Sequence, residues 1–174
     1  MTMSTETVAE KLGAGKYAKP IEDGCIWHGI ASPLEKAHLI AQLAHESDGF
    51  STAVEYASGA AYEGRADLGN TQKGDGTRFK GRGLIQCTGR SNYAAYSAWK
   101  YNDDRCVENP ELLAELPDAV EAAFWYWTVR RPVCRTRAQA DDLEGVTRAI
   151  NGGLRGLEDR RTKLSKAKQL FGIL

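Results

Sequence analysis

The run LEKAHLIAQLAHESDGF, from Leu34 to Phe50, constrains this chain more than any other stretch. At about 100° of turn per residue, Leu34, Ala37, Leu39, Ile40, Ala41, Leu43 and Ala44 cover more than half of a helix circumference. A helix that apolar is mostly buried, so other elements must be built around it. Ser32 can cap the first free N–H groups, Pro33 suits the first helical position, and Glu35 stands where a capping-box partner belongs. Gly49 is a natural stop. The remaining stripe carries Glu35, His38, Gln42, His45 and Glu46, with Glu46 bordering Leu39. A carboxyl on the edge between polar and apolar surface is where a pKa can be raised. A solvated glutamate on an outer stripe is the plain alternative, and the helix alone does not choose between them.

A chain of 174 residues is long enough for one domain with a sizeable core, and 42% apolar with 26% charged residues is ordinary for a globular protein. The formal net charge is zero, so the overall balance points to neither nucleic acid nor an anionic membrane surface. A basic stretch (Lys73, Arg78, Lys80, Arg82, Arg90) and an acidic one (Asp103, Asp104, Glu108, Glu111, Glu115, Asp118, Glu121) read as solvated surface. The four cysteines, at 25, 87, 106 and 134, show no metal-ligand spacing. Cys87, in an apolar run, reads as a buried thiol, and a disulfide among the others stays open. No apolar run approaches a membrane span, and MTMSTETVAEKLG has no signal-peptide core, so the expectation is cytoplasmic synthesis without stable membrane insertion.

Helical signals recur along the chain. Thr5 to Leu12 reads as a short helix, and Arg90 to Trp99 as another. Asn109-Pro110 opens a helix through Leu116, and Pro117-Asp118 opens DAVEAAFWYWTVRR with Val120, Ala123, Phe124 and Trp127 inward. Ala138 to Asn151 reads as a long helix with Asp141 and Glu144 at capping-box spacing, ended by Gly152-Gly153. Leu157 to Phe171 closes the chain with Leu157, Leu164, Ala167 and Phe171 inward. Between them, Val54 to Arg65 is irregular or briefly helical. From Gly64 to Gly83 there are six glycines in twenty residues, with Asp75-Gly76 as a tight turn. Such glycine density allows close backbone approach to a ligand. Leu84 to Cys87 is strand or buried turn. The sum is a single, mainly α domain over residues 1–174, with a glycine-rich loop or small β element between helices.

Several chemistries fail on spacing. His45-Glu46 begins like the zinc motif H-E-x-x-H, but position 49 is glycine, and His38 with His45 lacks a third ligand. No metal or cofactor is therefore expected. Gly81-Arg82-Gly83 lacks the third glycine of a dinucleotide fingerprint. Ser47, Ser58 and Cys87 lack a nucleophile's context. Paired carboxylates remain. Glycoside hydrolysis needs one carboxyl to protonate the leaving oxygen and a second, ionised one to activate water or attack the sugar. Glu46 suits the first role. Glu55, flanked by Val54 and Tyr56, or Glu63, after Tyr62, suits the second. Phe50, Tyr56, Tyr62, Phe79 and Tyr93 can stack on sugar rings, or simply pack in a core.

Four separated stretches, AHESDGF, FKGRGLIQCTGRSNY, AFWYW and VTRAINGGLRGLEDR, resemble the family-19 glycoside hydrolases in the order those motifs take there. Within that family the chain most resembles phage endolysins and prophage lysozymes, with plant and bacterial chitinases more distant. The resemblance covers roughly residues 33–165. It implies a lysozyme-like, two-lobed fold about a cleft and an inverting mechanism. Glu46 would be the general acid and Glu55, nine residues on, the general base, with Glu63 the rival. Gln86 would bind sugar and Thr88 would hold the water. Asn92 and Asn151 would line the cleft, joined by Tyr56 as a sugar contact, and Arg160 would order the carboxylates. An inverting pair stands about 6.5–9.5 Å apart, and a retaining pair about 5 Å.

The expected function is a peptidoglycan-cleaving endolysin, cutting the β-1,4 bond between N-acetylmuramic acid and N-acetylglucosamine. It would be a monomer made in the host cytoplasm, released through a holin to act at the cell wall. A chitinase is the runner-up. A non-catalytic sugar-binding module is a third reading, disfavoured by the glutamates at 46, 55 and 63.

Overall fold

A computed structural model describes residues 3–173. Met1, Thr2 and Leu174, the ends of the expected domain, lie outside the described residues. The α-helices run in order α1 (Thr5–Lys11), α2 (Ala18–Trp27), α3 (Pro33–Glu46), α4 (Asp75–Arg78), α5 (Arg90–Tyr101), α6 (Arg105–Glu108), α7 (Asp118–Trp125), α8 (Val133–Gln139), α9 (Leu143–Asn151) and α10 (Leu157–Phe171). Among the described residues β structure is confined to two isolated bridges, Val54 with Arg82 and Arg82 with Cys87. The mainly helical expectation holds. The backbone divides into two compact units, residues 3–51 with 124–173, and residues 52–123.

In the first unit α3 is the buried centre. The Ser32 hydroxyl accepts from the Glu35 N–H at 3.4 Å, and Pro33 opens the helix as its fixed φ favours. Leu39, Ile40, Leu43 and both flanking alanines are fully buried. The helix ends at Glu46, just before the expected Gly49 stop, and Asp48, Gly49 and Phe50 all take left-handed φ of 51°, 66° and 66°. The polar stripe is the larger correction. Glu35, His38 and Gln42 are buried, because α3 packs against α8, α9 and above all α10. Glu35 makes no capping box. It accepts from Trp127 Nε1 at 3.1 Å, Arg135 Nε at 2.9 Å and Gln139 Nε2 at 2.8 Å.

The expected helix over 138–151 is two helices. The chain turns at Asp141, whose φ is 57°, and Asp142 caps α9 by accepting from the Gly145 N–H at 2.8 Å. Asp141 bonds His38 at 2.9 Å and Lys168 at 2.5 Å instead. The expected continuous helix after Pro117 becomes α7 followed by a π-helical turn, Tyr126–Arg130. Leu157–Phe171 forms as expected, although Leu157 is only half-buried.

The second unit is loop-rich and held by buried polar groups. Asp75-Gly76 opens the one-turn α4 rather than a tight turn. Asp75 is 1% exposed and accepts from Arg90 at 2.6 and 2.9 Å, which overcomes its burial and holds its carboxyl below the usual range. Arg82, read as surface, is buried, donating to Glu111 at 2.7 and 3.1 Å, to Arg78 O and to the Tyr93 hydroxyl. Asp118, also read as surface, is buried against Tyr96, Tyr101 and Lys100. Gly76 of this loop serves the chain's own packing. A Cβ on Gly76 would stand 2.5 Å from Glu63 N and 2.8 Å from Gly59 O. The stretch from Asn109-Pro110 is a 3₁₀ segment, Pro110–Ala114, shorter than expected. Leu84 to Cys87 is a buried turn. All four cysteines are free and buried, so the open disulfide is not formed, and burial pushes the Cys25 and Cys134 thiols up to about 12.

Candidate active site

In the first unit the candidate residues meet where α3 lies against α10. Glu46 is on the last turn of α3, its side chain 14% exposed. Arg160, 1% exposed, donates to Glu46 Oε1 at 2.5 Å and with its other terminal nitrogen to Gln42 Oε1. Gln42 lies one turn before Glu46 and also donates to Thr147 Oγ1 at 3.4 Å. The guanidinium fork suits this double task, since its donors are planar and fixed. Next to Glu46, His45 Nδ1 lies 2.6 Å from Asp159 Oδ2. Burial pushes the Asp159 carboxyl up, but hydrogen bonds from Lys163 and His45 outweigh it and leave the group below its ordinary value. Gly156 faces the His45 ring so closely that a Cβ there would stand 2.2 Å from it. The left-handed run Asp48–Phe50 follows directly. Strain of that kind persists only where the surroundings hold it, and it gathers at functional sites.

In the second unit Glu55 is gripped at both oxygens. The Tyr62 hydroxyl donates to Oε1 at 2.8 Å and the Gly81 N–H to Oε2 at 2.9 Å. A second lone pair on each oxygen remains for a water. The Glu55 N–H donates to Gly81 O at 2.9 Å, so backbone and side chain are both pinned. A Cβ on Gly81 would lie 2.7 Å from Gln86 Oε1 and 3.2 Å from Glu55 Oε2, so this glycine lets the two side chains share its face. Gln86 holds a left-handed φ of 56°, unusual for a residue with a side chain. Thr88 Oγ1 donates to Gln86 O at 2.9 Å, and Asn92 Nδ2 to Thr88 O at 2.8 Å. Glu55, Gln86, Thr88 and Asn92 are therefore tied into one neighbourhood.

The rival, Glu63, is arranged differently. It is exposed, and its oxygens accept the N–H groups of Gly74 at 2.7 Å and Gly76 at 2.8 Å. Those two bonds hold its carboxyl below the usual range and brace the glycine loop. Tyr56 is 76% exposed. Asn151 ends α9 on the first unit, at the rim of a cavity it shares with Arg131 and Arg148. Sequence reading assigns no site role to Gln42 or Asp159, suggests Tyr62 only as a sugar-stacking ring, and weighs His45 only as a metal ligand. The four-residue spacing of Gln42 from Glu46 was a usable signal, whereas Asp159 and Tyr62 reach their partners only through the fold.

Comparison with known proteins adds an independent line. No protein-family model matches the chain. A "Glycosyl hydrolase family 19 domain-containing protein" of Haemophilus influenzae is 33% identical over 170 residues, covering 80% of this chain and 80% of that protein. An endochitinase of Arabidopsis thaliana is 30% identical over 159 residues, covering 84% of this chain. The chain spans 53% of that plant protein's length. The crystal structure of chitinase C from Streptomyces griseus HUT6037 superposes with a TM-score of 0.72 at 19% identity, covering 98% of this chain and 77% of that one. This last likeness shows the fold, the lysozyme-like helical one. The bacterial relative, matched along four-fifths of both proteins, carries the assignment further: this chain belongs to glycosyl hydrolase family 19 and is a glycoside hydrolase.

Proposed function

We propose that the chain is a peptidoglycan-degrading endolysin that hydrolyses, with inversion, the β-1,4 bond between N-acetylmuramic acid and N-acetylglucosamine. The observation that carries the chemistry is the immobilisation of two carboxylates: Glu46 by Arg160, and Glu55 by Tyr62 and Gly81. In this reading Glu46 gives its proton to the glycosidic oxygen. Glu55 takes a proton from the water that attacks the opposite face of the sugar, and Thr88 holds that water. Gln86, Asn92, Asn151 and Tyr56 contact the sugars, and Arg160 fixes the acid. In this reading Glu63 serves the loop, since the Gly74 and Gly76 N–H groups hold its carboxyl below the usual range and weaken it as a base. A carboxylate already held in place lowers the reorganisation needed in the transition state.

The resemblance of AHESDGF, FKGRGLIQCTGRSNY and VTRAINGGLRGLEDR to phage endolysins and prophage lysozymes favours a bacterial wall polymer as substrate. The same reading has the protein made in a host cytoplasm, released through a holin and acting as a monomer at the wall. Among the described residues no helix is long and apolar enough to cross a membrane. Chitin is the second reading, because the plant relatives are named endochitinases and N-acetylglucosamine is a unit of both polymers.

The test is an assay pair on purified sacculi and on chitin oligomers, with new reducing ends identified by mass spectrometry. N-acetylmuramic acid ends released by wild type support the proposal, and chitin cleavage without sacculus cleavage overturns it. Glu46→Gln and Glu55→Gln should each lose turnover by about 10²–10⁴-fold with folding intact, while Glu63→Gln should retain most of it. NMR of the fresh product should show the α-anomer. A β-anomer would mean retention and would remove Glu55 as a base.

A further inference from the structure

The first unit holds a cavity of about 460 Å³ between the π-helical turn, the start of α8 and the last turn of α9. That volume is in the range of small-ligand sites. Its lining combines three chemistries. Arg131 and Arg148 bring two guanidinium groups, Val133 and Ile150 an apolar wall, and Tyr126 and Asn151 polar tips. Ile150 stays half-buried, unlike Val146 one turn earlier, because it faces this space.

The two arginines are available. Among the described residues Arg131 makes no ion pair. Arg148 reaches only Glu144, at 3.8 Å, with both side chains more than half exposed. An exposed pair at that distance is worth little and yields readily to a better-placed anion. Three other guanidinium groups of this unit are committed: Arg160 to Glu46, Arg135 to Glu35 and Arg137 to Asp142. The π-helical turn that leads into Arg131 is a rare geometry, found often where a helix has been reshaped for a site.

We propose that this cavity receives the short acidic peptide borne by N-acetylmuramic acid, with Arg131 and Arg148 binding its carboxylates while Asn151 contacts the attached sugar. The inference rests on the wall-polymer reading and on Asn151 as a sugar contact. Chitin is uncharged and has nothing to offer two arginines. A wall peptide carries free carboxylates, which arginine forks bind in bidentate fashion, and small methyl-bearing residues that suit Val133 and Ile150.

The experiment measures calorimetric affinity for a GlcNAc–MurNAc disaccharide bearing its tetrapeptide, against the same molecule with its carboxylates converted to methyl esters. This disaccharide lacks the scissile bond, so wild-type protein can be used. Wild type should bind the acid form roughly tenfold more tightly than the ester at low salt, as expected for two charge-assisted contacts on a partly exposed site. The gap should close at high salt. The double variant Arg131→Gln/Arg148→Gln should bind both forms alike, while Arg105→Gln, in the other unit, should keep the gap. Both replaced arginines are exposed, so folding should survive, and circular dichroism checks it. Equal wild-type affinity for acid and ester overturns the proposal, as does a gap that persists in the double variant. If sacculi are cleaved without a gap, the peptide site fails and the enzymatic reading stands. A gap without sacculus cleavage gives the reverse.

Discussion

Arg160 is a cation among the largest fully buried side chains, held by acceptors on a helix more than a hundred residues away. Truncating it would leave Gln42 and Glu46 facing a gap with no opposite charge. We expect Arg160→Ala to lower the unfolding free energy by about 3 kcal/mol, as for other ion pairs broken from one side in a buried setting. Urea melts measure this, and a loss below about 1 kcal/mol would show that Glu46 finds water or another donor. Arg160→Lys should be partly stable yet catalytically poor, because an ammonium group cannot present the guanidinium's planar fork to both acceptors. The candidacy of Glu46 itself was legible in the sequence, since a carboxyl at a helix's polar–apolar edge is a local pattern. That Glu55 rather than Glu63 has a hydroxyl donor was not. Tyr62 stands beside Glu63 in the chain, and only the turn of the loop carries its hydroxyl back to Glu55.

Helix contacts set the next constraint. Gly24 lies in α2, where alanine would ordinarily gain about 1 kcal/mol in helix propensity. A Cβ there, however, would stand 2.2 Å from the Phe124 ring, which is itself fully buried and stacked on His28 at 5.1 Å. Overpacking of this kind costs about 1–3 kcal/mol, so the clash should win and Gly24→Ala should melt at a lower temperature than wild type. A raised melting temperature would mean that Phe124 has room to move. Element starts were marked in the sequence by Ser32-Pro33 for α3 and Pro117-Asp118 for α7. Breaks inside apolar runs were not. Residues 138–151 keep a helical period across Asp141, and the chain turns there because that carboxylate has His38 and Lys168 to bind.

Across the whole molecule the buried polar seam predicts how stability responds to acid. His38 is fully buried. Its Nε2 bonds Asp141, and its Nδ1 has no hydrogen-bond partner among the described residues. Burial lowers its pKa below the ordinary 6.5, and the Asp141 carboxylate only partly opposes this. A depressed folded value means that the unfolded chain binds the proton more readily. Stability is therefore whole above 6.5 and declines as pH falls from there through the lower folded value. Asp141 and Asp159, held below their ordinary 3.8, add a second loss as pH falls beneath that value. Melting temperatures from pH 8 to pH 3 should show both stages, and His38→Gln should remove the first. An unchanged slope between about pH 6.5 and 5 in that variant would refute the assignment. The helical class and the burial of α3 were legible in the sequence, which also offered Glu46 as a proton-donor candidate, because a 3.6-residue period and its caps are written into neighbouring residues. What covers the polar stripe of α3 was decided by tertiary structure alone. His38 meets Asp141 across 103 residues, Gln42 meets Thr147 across 105, and Glu46 meets Arg160 across 114. No local pattern encodes such meetings, since these partners approach only when the helices pack.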